Sequence, residues 1–116
     1  MSEKIETKAL GVDNGRAIRA FGQEAHVLVS SEQTGDAFSV LRFFMPPGNI
    51  TPPHVHRSTD ETFLIESGEI EIHRGQELLR GRKGDVIYLP KGIPHALRVI
   101  GNDERVALVV RGARRF

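Results

Sequence analysis

The 116 residues include no cysteine, which excludes disulfides, thiolate metal sites, iron–sulfur clusters and cysteine nucleophiles. A domain of this size without disulfides relies on its packed core or on assembly. A surplus of charge is missing too. Sixteen Lys and Arg stand against fifteen Asp and Glu, a formal charge of +1. So balanced a chain lacks the basic field of a nucleic-acid or anionic-membrane binder. Its one basic cluster, Arg111, Arg114 and Arg115, reads as a solvated tail. No apolar run approaches membrane-spanning length, and Met1-Ser2-Glu3-Lys4-Ile5-Glu6 has no apolar stretch like that of a secretory signal. A cytoplasmic location is the default expectation. Internal repeats, low-complexity segments and a helical apolar period sustained over three turns are also absent.

Turn residues, by contrast, are plentiful. Twelve Gly and six Pro cut the chain into short pieces rich in Val, Ile, Leu and Phe. The pieces are Ala25–Ser30, Phe38–Met45, Glu61–Glu66, Glu69–Arg74, Asp85–Leu89, His95–Ile100 and Arg105–Val110, each of strand length. Short strands separated by tight turns indicate an all-β sandwich or small barrel. The length allows one domain, residues 1–116, with a core over about 25–112. The less apolar residues 1–24 are either an arm or a strand that pairs with a partner subunit.

Successive residues of a strand face opposite sides, so parity selects the inward set. Glu61 shares a face with Phe63 and Ile65, Ile70 pairs with Ile72, and His95 lines up with Leu97 and Val99. Glu69, Glu71, His73 and Arg98 fall on the solvent side, and Arg42 is read as solvent-facing too. A carboxylate and an imidazole turned inward are costly unless compensated, either by a hydrogen-bond network or by a metal ion. His54 and His56, two apart, share a face if their segment is extended. With Glu61 and His95 they make a borderline donor set that suits Fe, Mn, Co, Ni, Cu or Zn.

These residues fall in a known pattern. Gly48-(five)-His54-x-His56-(four)-Glu61-(six)-Gly68 resembles the first signature of the cupin superfamily, and Gly84-(five)-Pro90-x-Gly92-(two)-His95 resembles the second. The resemblance extends from about Phe38 to Val110. It implies a small antiparallel jelly-roll barrel, the double-stranded β-helix, holding one divalent transition-metal ion on His54, His56, Glu61 and His95. The second signature usually ends in Asn four residues after its His, where this chain has Val99. Phe63, Ile65, Leu97 and Val99 are the expected substrate pocket, and His26 and His73 are expected to face solvent.

The run of Pro46-Pro47-Gly48 into His54 and His56, followed by Asp60-Glu61-Thr62-Phe63, is similar to small bacterial cupins grouped with quercetin dioxygenase. The likeness implies a metal-dependent dioxygenase for a small aromatic or enediol-type substrate, with Glu61 as both ligand and catalytic proton acceptor. The alternative is a non-catalytic module that holds a small molecule. An apolar outer surface around Val27, Val29 and Val106–Val110, together with the family's frequent dimers, gives a homodimer as the expected assembly.

Overall fold

The computed structural model describes residues 16–112. Its strands are β1 (Arg16–Ala20), β2 (Gln23–Val29), β3 (Phe38–Met45), β4 (Asp60–Ile65), β5 (Glu69–Arg74), β6 (Glu77–Arg82), β7 (Val86–Leu89), β8 (His95–Ile100) and β9 (Arg105–Gly112). A 3-10 turn, Glu32–Thr34, interrupts them. The strands form two antiparallel sheets, ordered β1-β2-β3-β9-β4-β7 and β6-β5-β8. Facing each other, these sheets make the expected jelly-roll. Among the described residues no helix is long and apolar enough to cross a membrane.

The inward parity set forms the core. Met45, Phe63, Ile65, Ile70, Ile72, Ile87, Leu89, Leu97, Val99, Ala107 and Val109 are buried together between the sheets. Each such large apolar side chain favours the fold by about 1.5–3 kcal/mol before ordering costs. A smaller cluster of Ala25, Val27 and Leu41 joins the main one through Phe43. Val27 therefore faces inward, where the sequence placed it on the outer surface. A register shift between Val27 and Val29 lets the adjacent Leu28 be buried as well.

Two strands escape the sequence reading. β6 turns Leu79 and Gly81 inward, and a Cβ on Gly81 would collide with Ile87. Close approach therefore removes the apolar side chain that would have marked the strand. β1 pairs with β2 of its own chain; residues 1–15, the rest of the expected arm, lie outside the described residues.

Of the signature glycines, Gly68 has a packing reason, whereas Gly48, Gly84 and Gly92 have open space at the Cβ and are set by positive φ. Gly68 has φ +67°, and a side chain on it would run into the Arg105 guanidinium, whose Nη2 donates to the Ile100 carbonyl at 2.6 Å. The segment after Gly48 then runs antiparallel to β8. The Thr51 amide donates to the Leu97 carbonyl, and His54 and His95 exchange amide–carbonyl bonds, all at 2.9 Å. Pro52 and Pro53 lack an N–H, so this edge pairs as isolated bridges rather than as a full ladder. His54 is thereby set directly opposite His95.

Candidate metal centre

Three elements deliver the histidines and Glu61. The 50–54 bridge and the chain beyond it carry His54 and His56, β8 begins with His95, and Glu61 lies on β4. One nitrogen from each of His54, His56 and His95 lies within 4.8 Å of the others. The rings crowd closely, with His54 and His95 centroids 4.3 Å apart. Glu61 joins this cluster through one oxygen: Oε1 is 3.1 Å from His56 Nε2 and 3.4 Å from His95 Nε2. The sequence-predicted ligands therefore come together, although only the three histidines form the mutually close group.

The donor chemistry fits a divalent transition ion. His54 Nδ1 lies 3.0 Å from the Pro52 carbonyl, which only accepts, so Nδ1 carries the proton and Nε2 keeps its lone pair. A backbone carbonyl that fixes a ring in this way is the usual support behind a histidine ligand. Burial lowers the His56 pKa, outweighing the attraction of Glu61, and the charges of Arg111 and the other two histidines act in the same direction as burial. A neutral imidazole is the form that binds metal. His95 Nδ1 is buried with no hydrogen-bond partner, a polar cost that a protein-only network leaves unanswered.

Glu61 has a second partner that the sequence reading missed. Arg111 donates from Nε at 2.9 Å and from Nη2 at 2.6 Å, both to Glu61 Oε2. The two residues are cross-strand neighbours in the β4–β9 register. Burial raises the Glu61 pKa, but the His95 hydrogen bond and Arg111 overcome it and hold the carboxyl at about 2. Arg111 is therefore no solvated tail; Arg114 and Arg115 lie outside the described residues. A signal for Arg111 did exist. Extending the last strand one residue past Val110 places it on the same inner face as Ala107 and Val109.

A cavity of about 120 Å³ opens beside the cluster. Of the expected pocket residues, Phe63 and Leu97 line it. Ile65 and Val99 do not, because they pack deeper in the main core. Val99 thus fills core rather than altering the pocket. Leu41 and Phe43 add to the apolar wall, and the β1–β2 hairpin closes it with Ile18, Ala20 and Phe21. At the hairpin tip Phe21 and Gly22 both have positive φ, 54° and 77°, as a two-residue turn of this hand requires. The Phe21 ring stacks on His54 at 5.1 Å. Asn49 secures the tip, donating from Nδ2 to the Phe21 carbonyl and accepting from Gln23, each at 2.9 Å. Arg42 points to the outer face and pairs with Glu66 at 2.9 Å. His73 is exposed as expected, but His26 is only partly so, with Phe44 edge-on to its ring at 5.3 Å.

The family model for the Cupin domain matches residues 41–111, which include all three histidines, Glu61 and Arg111. The chain belongs to the cupin family. This cupin is 31% identical over 87 residues to quercetin 2,3-dioxygenase of Bacillus subtilis; the match takes in 74% of this chain but only 26% of that enzyme. It is 29% identical over 102 residues to an uncharacterized protein of Streptomyces coelicolor, covering 88% of this chain and 93% of that one. Among solved structures, a predicted oxalate decarboxylase from Thermotoga maritima superposes with a TM-score of 0.81 at 23% identity, over 92% of this chain and all of that one. That likeness concerns the fold.

Proposed function

We propose that this cupin is a metal-dependent dioxygenase acting on a small aromatic or enediol-type substrate. The observation that carries the reading is the convergence of His54, His56 and His95, with Glu61, at the wall of an apolar cavity. The similarity to part of a quercetin dioxygenase agrees with it. A transition metal held there supplies Lewis acidity and the redox chemistry by which dioxygen reacts. Both oxygen atoms end in the substrate, so the substrate carbon is the reductant and no second one is needed. The chain's own part is to bind and orient. Phe43, Phe63 and Leu97 take the apolar body of the substrate and exclude water. Glu61, with Oε2 neutralised by Arg111, presents Oε1 to the imidazoles.

The second reading is a module that binds a small molecule without turning it over, for which the same apolar wall and the Glu61–Arg111 pair would serve binding alone. Elemental analysis of untagged protein, wild type beside His56→Ala, tests the centre. The expected result is one equivalent of transition metal, lost in the variant; a wild type that cannot be loaded refutes it. Oxygen uptake by the loaded protein with 1,2-diketones and flavonols then separates the readings, since binding without uptake supports the module.

A further inference from the structure

Arg111 is only half committed. Its Nε and Nη2 both donate to one oxygen of Glu61, while Nη1 makes no hydrogen bond among the described residues. The side chain is 32% exposed and lines the cavity. Guanidinium groups present five N–H donors in a planar fork, and an unused edge beside an apolar wall is suited to an anionic oxygen. Arg42, on the neighbouring strand β3, is paired with Glu66 on the outer face. The Glu61–Arg111 pair is neutral as a unit, so an anion meets a directed donor there rather than a repelling carboxylate.

Size narrows the ligand further. The cavity measures about 120 Å³, and an apolar cavity of about 150 Å³ accepts a benzene ring. A single ring or a short branched chain matches that space. Phe63, Leu97 and Leu41 provide apolar surface for such a body, leaving Arg111 to hold its charged end.

We propose that Arg111 Nη1 is an anion-binding subsite, and that the cavity takes a small organic acid or enolate with one ring or a short apolar chain. This rests on the reading above only in taking the cavity as the substrate site.

The test is calorimetric titration of the full chain, metal-free and zinc-loaded, with benzoate and its neutral analogue benzamide. Benzoate should bind about tenfold or more tightly than benzamide to both forms, as expected for a charge-assisted hydrogen bond. In Arg111→Lys the single ammonium is occupied by Glu61, and the preference should fall to within about threefold. Glu61→Gln frees Arg111, and there the preference should be kept or grow, which preserves the test if Arg111→Lys does not fold. Equal binding of acid and amide by the wild type, or an undiminished preference in folded Arg111→Lys, overturns the proposal. A preference seen only with zinc assigns the anion to the metal and overturns the role of Arg111 while leaving the metal centre intact. A preference in wild type that cannot be loaded with metal upholds Arg111 and refutes the metal reading instead.

Discussion

Glu61 shows how one residue's environment sets its chemistry. Its side chain is 3% exposed, a position that disfavours a carboxylate, yet Arg111 and two imidazoles face its oxygens. The balance holds it at about 2, against an ordinary 4.5. The folded state therefore binds fewer protons here than the unfolded chain does. The stabilisation from this group is complete above about 4.5 and drains away as pH falls toward 2. Urea denaturation of metal-free protein should accordingly show stability falling across that window. Glu61→Gln should lose much of the slope while being less stable at neutral pH, since it weakens a buried pair. An unchanged acid slope in the variant would show that other carboxylates dominate. Parity anticipated the burial of Glu61, because alternation is a property of one strand. Its pairing with Arg111 bridges residues fifty positions apart, which only strand order brings together.

At the scale of elements, the β1–β2 hairpin is the wall that the sequence left undefined. Its residues Ile18, Ala20 and Phe21 line the cavity, and among the described residues its tip is held to the Gly48 turn by the side-chain hydrogen bonds of Asn49. Phe21 adopts a left-handed φ of 54°, which a bulky residue tolerates only when its surroundings enforce it. Removing the clamp should therefore loosen the tip while leaving the sheets intact. Asn49→Ala is expected to lower stability by about 1–2 kcal/mol and to speed amide exchange in β1 and at Gln23, with little change in β5 or β8. Exchange rates unaltered in β1 would mean that strand pairing, not Asn49, fixes the wall. The strands whose alternation or length was clear, Phe38–Met45, Glu69–Arg74 and His95–Ile100, matched the sequence reading in their bounds, but Glu71, read as solvent-facing, is buried because Arg80 and Arg98 cover it and pair with its carboxylate. β1 and β6 did not match, because few of their residues carry an apolar side chain into the core.

For the whole molecule, the outer face of the six-stranded sheet is unusual. Leu64, Val86, Tyr88 and Val110 project from it and are each more than a third exposed, while the Arg42–Glu66 pair on the same face is internally neutral. Apolar surface of this extent invites a partner. We propose that two copies of the chain cover it in a homodimer, with Val110 near the centre of the face. Light scattering should give twice 12.9 kDa for the wild type, and Val110→Glu should return the mass to that of one chain. A wild-type mass of 12.9 kDa would refute the dimer.

Local chemistry in the sequence was sufficient for the all-β class, for the inward face of each clear strand and for the two signatures that contain His54, His56, Glu61 and His95. These follow from alternation and from turns set by glycine and proline, which act over a few residues. The tertiary structure decided which oxygens of Glu61 remain available, that Arg111 rather than Arg42 lines the cavity, and that Ile65 and Val99 fill core instead of pocket. Each of those depends on which strands lie side by side and how the sheets close over one another. A side chain's direction is encoded in its own strand, but what it meets there is supplied by residues far along the chain.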